Sequence, residues 1–281
     1  MWIVAVLMLL ACVSAGAQQP QPLTFWSDYT VKPGREEDFM NLVKAVGQPV
    51  REKLMAEGVV LAWGIEVPLL RGPYPTTHTI WYAVADWSGI EKVQNTMNAQ
   101  LARIAADEAA AAAEARKKGQ KVGPTTAERI RDILEMDKTR DWVTRDLVFV
   151  ESSKPAPANV LPYTFYFGAK VKPGRGNDYT AAWRKYYKPV LDKLAADGVL
   201  LAFGLAIEEV RTEGAFTHFT WIAVANLPAF DKARAAFVAD RAVRSPEEQA
   251  AIGDLFNNLT DADAARSSVS RSIVFRLPGM K

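Results

Sequence analysis

The sequence predicts an α+β fold in which two tandem βαββαβ halves pack as one pseudo-symmetric α/β barrel, each half with a helical insert before its last strand. Three observations carry this. The 281-residue chain repeats itself at a constant offset of 140: Val31-Lys32-Pro33-Gly34-Arg35 returns as Val171-Lys172-Pro173-Gly174-Arg175, with 24 identities in the 62 ungapped positions 31–92. Within each copy, apolar residues switch between period 2 and period 3.6 in the same order. Between the copies lies Ser152-Ser153-Lys154-Pro155-Ala156-Pro157-Ala158, which has the composition of a linker. The repeating unit, about 130 residues, is far longer than a solenoid repeat. The expected organisation is a signal peptide over 1–17, a first half over 23–151, a linker over 152–161 and a second half over 162–277.

Residues 23–31 concentrate aromatic and β-branched side chains and read as a strand. Lys32-Pro33-Gly34 turns the chain. Phe39, Leu42, Val43, Val46, Val50 and Leu54 then fall at helical spacing, and Gly58 stands where a left-handed helix stop is wanted. Pro49, repeated as Pro189, is expected to kink that helix. Residues 59–67 and 77–85 read as a pair of strands. Ser88 and Glu91 are expected to form a capping box that opens the second helix. The alanine-rich stretch 105–118 also carries Asp107, Glu108, Glu114, Arg116 and Lys117, which predicts an exposed helix packed on one side. A helix near 127–137 and a strand over 143–150 complete the copy. The second copy follows the same order, with a shorter insert whose helix opens at Ser245-Pro246-Glu247-Glu248; its last strand recurs at an offset of 126.

Composition narrows the function. Hydrophobic residues make up 49% of the chain, aromatics are plentiful and charge is mixed, which excludes disorder. Lys and Arg number 34 against 32 Asp and Glu, so no nucleic acid is expected as a partner. The single cysteine, Cys12, excludes a disulfide framework. Residues 2–13 form an uncharged apolar run, shorter than the roughly 20 residues of a membrane span. Ala15-Gly16-Ala17 and a polar stretch follow, the pattern of a secretory cleavage site. Cleavage after Ala17, export to the periplasm or the exterior, and no stable membrane span in the mature chain are therefore expected. Leu9-Leu10-Ala11-Cys12 offers a lipid anchor through Cys12 as the minor alternative.

A βαββαβ half is the ferredoxin-like arrangement, a four-stranded sheet with helices on one face. Its other face needs a cover, which the second copy supplies. The relevant motifs are Val-Lys-Pro-Gly-Arg after the first strand and the long helix ending at Gly58 or Gly198. To these add Trp81-Tyr82-Ala83-Val84-Ala85-Asp86-Trp87 leading into the second helix, and the closing strand before Phe149. On these the chain resembles the dimeric α/β-barrel superfamily in tandem-fused form, similar to antibiotic-biosynthesis-monooxygenase-like and NIPSNAP-like domains. The resemblance covers 23–151 and 162–277 apart from the inserts. It implies the fold. It also implies a range of activities: cofactor-free quinone-forming monooxygenases, muconolactone-type isomerases, haem-dependent chlorite dismutases and dye peroxidases. Fold membership does not choose among them. The haem branches place a proximal histidine on a helix of the second half, and no predicted helix here contains one, so no haem and no other cofactor is expected. Fusion removes the need for the usual homodimer, leaving a monomer or a homodimer of whole chains.

No G-x-S-x-G, P-loop, H-E-x-x-H, EF-hand or G-x-G-x-x-G motif occurs. Two histidines 140 residues apart supply no zinc triad, and no metal site is expected. Those two, His78 and His218, fall at equivalent positions opening the third strand of each copy, and both follow threonine. Imidazole serves as acid or base near neutral pH, so they are the candidate catalytic pair, against the alternative of simple inheritance from the ancestral domain. Trp63, Trp81, Tyr82, Phe203 and Trp221 are candidate walls of an apolar pocket, against the alternative that they pack sheet on helix. His78, Ile80, Tyr82 and Val84 share one face of their strand and Thr79, Trp81, Ala83 and Ala85 the other, and either face could line the barrel. Arg71 and Arg211, each following a second strand, are candidates for holding a carboxylate at the pocket mouth. The expectation is a small apolar or aromatic ligand between the sheets, with cofactor-free oxygenase or isomerase chemistry. The alternative is a non-enzymatic envelope binding or interaction module that uses the inserted helices over 105–137 as its contact surface.

Overall fold

The computed structural model describes residues 21–70, 75–154, 160–210 and 216–276. The expected cleavage site at Ala17, the alternative anchor at Cys12, and Arg71 and Arg211 lie outside the described residues. The first half runs β1 (Leu23–Tyr29), α1 (Glu36–Leu42), α2 (Gln48–Ala56), β2 (Val60–Pro68), β3 (His78–Val84), α3 (Trp87–Lys117), α4 (Thr126–Ile133) and β4 (Arg140–Glu151). The second half repeats it as β5 (Tyr163–Val171), α5 (Gly176–Tyr186), α6 (Lys188–Ala196), β6 (Ala202–Glu208), β7 (His218–Val224), α7 (Pro228–Ala242), α8 (Pro246–Leu259) and β8 (Thr260–Arg276). Gly58 and Gly198 take φ of +73° and +74°, the left-handed stop that a Cβ disfavours.

The two proline kinks differ. Proline lacks an N–H and crowds the preceding turn. In the first half, α1 passes into a π-helical segment, Val43–Gly47, before α2 begins with Pro49 near its start. In the second half the helix breaks at Tyr187, and Pro189 sits near the start of α6. Two other expectations are corrected. Ser88 and Glu91 do not cap α3. Asp86 does, accepting from Gly89 N at 3.0 Å, while the Ser88 hydroxyl donates to the same carboxylate. A carboxylate two residues upstream reaches the free amides and also suits the positive end of the helix. Nor is the alanine stretch a separate helix: it continues α3 to 31 residues, against 15 in α7. α8 opens at Ser245 as read, and Ser245 and Glu248 form a capping box there.

The strands follow the order β4-β1-β3-β2 in one half and β8-β5-β7-β6 in the other, all antiparallel, and join at β2·β8 and β4·β6 into a closed eight-stranded barrel. Closure leaves no free sheet edge. The helices lie outside. Leu23, Trp63, Ile65, Tyr82 and Val84 pack with Phe39, Val50 and Leu54 in one core; Phe203, Leu205 and Val224 pack with Trp183, Leu191 and Leu194 in its counterpart. By strand alternation the intervening residues point into the lumen. No helix among the described residues is long and apolar enough to cross a membrane.

Candidate functional site

Alternation along each strand separates the candidate residues between two faces. Trp63, Tyr82 and Phe203 lie on the helix side, with Trp63 and Phe203 fully sealed. His78 and His218 lie there too, on β3 and β7, which stand on opposite sides of the barrel. His78 packs on Phe39 and His218 on Tyr179, each with Nδ1 3.0 Å from the preceding threonine hydroxyl. The histidines therefore do not meet in one pocket, because residues one apart on a strand face opposite ways and the helices claim this set. Only Trp81 and Trp221, of the aromatic candidates, face the lumen.

The lumen is built about a pseudo-twofold axis. Trp26 of β1 and Tyr166 of β5 occupy equivalent positions of the repeat and meet edge to face across it, with ring centroids 6.1 Å apart. On either side the same group recurs. Trp81 lies over Gly64 with Phe275 beside it at 6.0 Å; Trp221 lies over Gly204 with Phe149 beside it at 5.8 Å. Trp26, Trp81, Trp142, Tyr166, Phe219 and Trp221 are only half-buried.

Both seams carry buried carboxyls: Glu66 at β2·β8, and Asp146 and Glu208 at β4·β6, where Glu208 faces Thr144 and lies 3.6 Å from Arg140; Glu66 and Asp146 sit on opposite strands of the pair. At β2·β8, Glu66 faces Ser272; at β4·β6, Asp146 faces Ala206. Glu66 corresponds to Ala206 and Ser272 to Asp146 in the repeat, so the acid has changed sides. Glu66 is 4% exposed and accepts from the Tyr166 hydroxyl at 3.0 and 3.1 Å. Burial pushes its pKa up to about 7, with the neutral donors Tyr166, Ser270 and Trp81 holding it partly back. Burial likewise pushes Asp146 to about 7, opposed by the Trp221 N–H, which donates to it at 3.2 Å. Asp28 accepts from Thr79 at 2.6 Å and Trp142 at 3.0 Å, and burial raises it as well.

The two seams differ in one respect. Trp221 has Asp146 as acceptor. The N–H of its counterpart Trp81 acts on Glu66 but meets no acceptor in good hydrogen-bond geometry, and the counterpart of Asp146, Ser272, is 1% exposed with its hydroxyl unpartnered. Unpaired buried polar groups are rare because each forfeits its hydration. The β2·β8 side of the lumen therefore combines a buried carboxyl, a Ser272 O–H without a partner, a Trp81 N–H without a well-formed hydrogen bond, and aromatic walls. Among the described residues no cluster of three or more His, Cys, Asp or Glu is arranged to hold a metal.

No protein-family model matches the chain, and no curated protein sequence matches it. Solved structures do. A Fusobacterium nucleatum protein provisionally described as a monooxygenase shares 11% identity at a TM-score of 0.58, covering 93% of this chain and 97% of that one. A Lactobacillus acidophilus protein with the same provisional description shares 10% at 0.54, covering 93% and 98%. An anthrone oxidase-like protein shares 12% at 0.52, covering 93% and 95%. The fold is that of the dimeric α+β barrels. At these identities the likeness concerns fold alone.

Sequence reasoning passed over Glu66, Asp146, Tyr166 and Ser272. An acid in a strand ordinarily marks a solvated face. The usable signal was in the repeat itself: Glu66 against Ala206 and Asp146 against Ser272 are among the strand positions where an acid breaks the match.

Proposed function

We propose that this protein binds a small aromatic molecule bearing a carbonyl or hydroxyl oxygen in the β2·β8 side of its lumen, and moves a proton on it as a cofactor-free oxygenase or isomerase does. The observation that carries this is the unpartnered Ser272 O–H and the Trp81 N–H without a well-formed hydrogen bond, both beside Glu66. The ligand oxygen takes those two donors. Glu66 accepts a proton from the adjacent carbon or hydroxyl, and a carboxyl near pH 7 is matched to that task. Negative charge that grows on the ligand oxygen meets the two fixed donors. Returning the proton to another carbon completes an isomerisation. With dioxygen as co-substrate, the ligand anion is the electron donor of an oxygenation. The structural neighbours described as monooxygenases and as anthrone oxidase-like support the second branch. This reading moves the acid/base role from His78 and His218 to Glu66.

Anthrone added to the purified chain tests it. Tryptophan fluorescence should quench on binding, dioxygen should be consumed, and kcat/KM should rise to a plateau above about pH 7. Glu66→Gln should lower turnover by about a hundredfold or more while the quench persists. Oxygen uptake unaffected by that substitution would remove Glu66 from the mechanism.

We place this activity outside the cytoplasm, on the apolar run 2–13 and the Ala15-Gly16-Ala17 pattern. Protein recovered from a secreting bacterial host should begin at Gln18. An N-terminus at Met1 would count against export, and a lipid-modified Cys12 would favour the anchor.

A further inference from the structure

The helix side of the first half contains a charge that the fold does not need. Arg51 of α2 is 7% exposed. Its guanidinium lies 5.8 Å from the centre of the Trp63 ring, and no carboxylate or other hydrogen-bond acceptor engages it among the described residues; its Nε is buried without a partner. A guanidinium keeps its proton in a protein interior, and a buried N–H left without an acceptor is costly.

The second half provides the comparison. Leu191 is the equivalent residue, 1% exposed and an ordinary member of the core. A leucine therefore satisfies this position in the same fold. The backbone is also shaped around the arginine. Gly47 ends the π-helical segment that the second half lacks, and a Cβ there would fall 2.5 Å from an Arg51 terminal nitrogen. In the second half the position equivalent to Gly47 is filled by Tyr187. Such π-helical insertions cost backbone regularity and recur at functional sites.

The surroundings of the charge are flat and aromatic. Trp63 lies under the guanidinium, and the Tyr29 and Tyr82 phenols are close enough to act on it electrostatically. Phe25 stacks on Tyr82 at 5.2 Å, and Gln94 donates to the Tyr82 hydroxyl at 3.1 Å. We propose that Arg51 is the anchor of a second ligand site, between the first-half sheet and its helices, for a small planar organic anion. The fork of the guanidinium would hold a carboxylate or phenolate oxygen, and the rings would flank its plane. This site lies across the sheet from the lumen and is independent of the function proposed there.

Benzoate is the probe and neutral benzamide its control, with the full chain. Benzoate should bind saturably by calorimetry and raise Tm, and benzamide should bind at least about tenfold more weakly. Arg51→Leu, which installs the residue of the other half, should lose at least about tenfold in benzoate affinity. Its Tm without ligand should equal or exceed that of the wild type. The proposal is overturned if benzoate does not bind the wild type or binds Arg51→Leu equally well. A large fall in Tm for Arg51→Leu, with no benzoate effect on the wild type, would make Arg51 a structural cation–π partner. Should Arg51→Leu fail to fold, Arg51→Lys decides: it keeps the charge without the fork, and unchanged benzoate affinity overturns the site.

Discussion

Raising the pH from 5 to 8 is expected to lower the stability of this barrel by several kcal/mol, and replacing two carboxyls by amides is expected to remove most of the fall. Glu66 and Asp146 ordinarily titrate at 4.5 and 3.8, but burial holds both near pH 7 in the folded chain. The folded state then binds more protons than the unfolded state throughout the intervening range, so stability falls as pH rises. It is complete below the unfolded pKa values, drains away between about pH 4 and 7, and levels off above. At 1.36 kcal/mol per pH unit, each group contributes about 3 to 4 kcal/mol. That is a large share of the roughly 5–15 kcal/mol that holds a typical domain together. Burial lowers the pKa of His78, which acts in the opposite sense and strengthens the fold as its unfolded form loses its proton. Urea unfolding midpoints between pH 5 and 8 check this. The Glu66→Gln/Asp146→Asn double variant should lose most of the fall, keeping only the share of Asp28, which burial also raises, set against that of His78. A wild type that gains stability over that range, or a double variant that keeps the whole fall, would contradict the buried-acid account of the lumen.

Gly64→Ala and Gly204→Ala are each expected to cost about 3 kcal/mol or more, at the upper end for a single methyl group. A Cβ on Gly64 would lie 2.8 Å from both the Trp81 ring and the Val274 carbonyl oxygen. On Gly204 it would lie 2.6 Å from the Trp221 Nε1 and 2.7 Å from the Val148 carbonyl. A side chain can swing aside by changing rotamer, but each carbonyl belongs to the strand across the seam. It can retreat only if the β2·β8 or β4·β6 ladder opens, and those ladders close the barrel. Gly253 in α8 is the control: nothing lies near its missing Cβ, and Ala there should stabilise by up to about 1 kcal/mol. A cost below about 1 kcal/mol at Gly64 would mean that the seam slides more freely than close-packed strands allow.

The sequence by itself determined the duplicated architecture. The repeat at offset 140 and the alternation of strand and helix periods depend only on local chemistry and on what one face of each element must bury. For the same reason the left-handed stops at Gly58 and Gly198 and the opening of α8 at Ser245 were legible. Which face of each strand became the lumen was decided only by the tertiary structure. A closed barrel with helices outside buries both faces, so Trp81 and Tyr82, adjacent and both aromatic, look equally suited to either. Packing assigned Tyr82, Trp63 and His78 to the helices and Trp81 to the interior. The acids depended on tertiary structure in a deeper sense. Glu66 and Tyr166 are 100 residues apart, and their contact exists only because β8 lies between β2 and β5 in the closed sheet. Arg51 reads as one more polar residue on an amphipathic helix. Its isolation follows from the π-helical segment at Val43–Gly47, whose geometry a helical period does not encode. Periodicity reports what a segment buries; the charges that stand unpaired after burial depend on which distant strands and helices close over them.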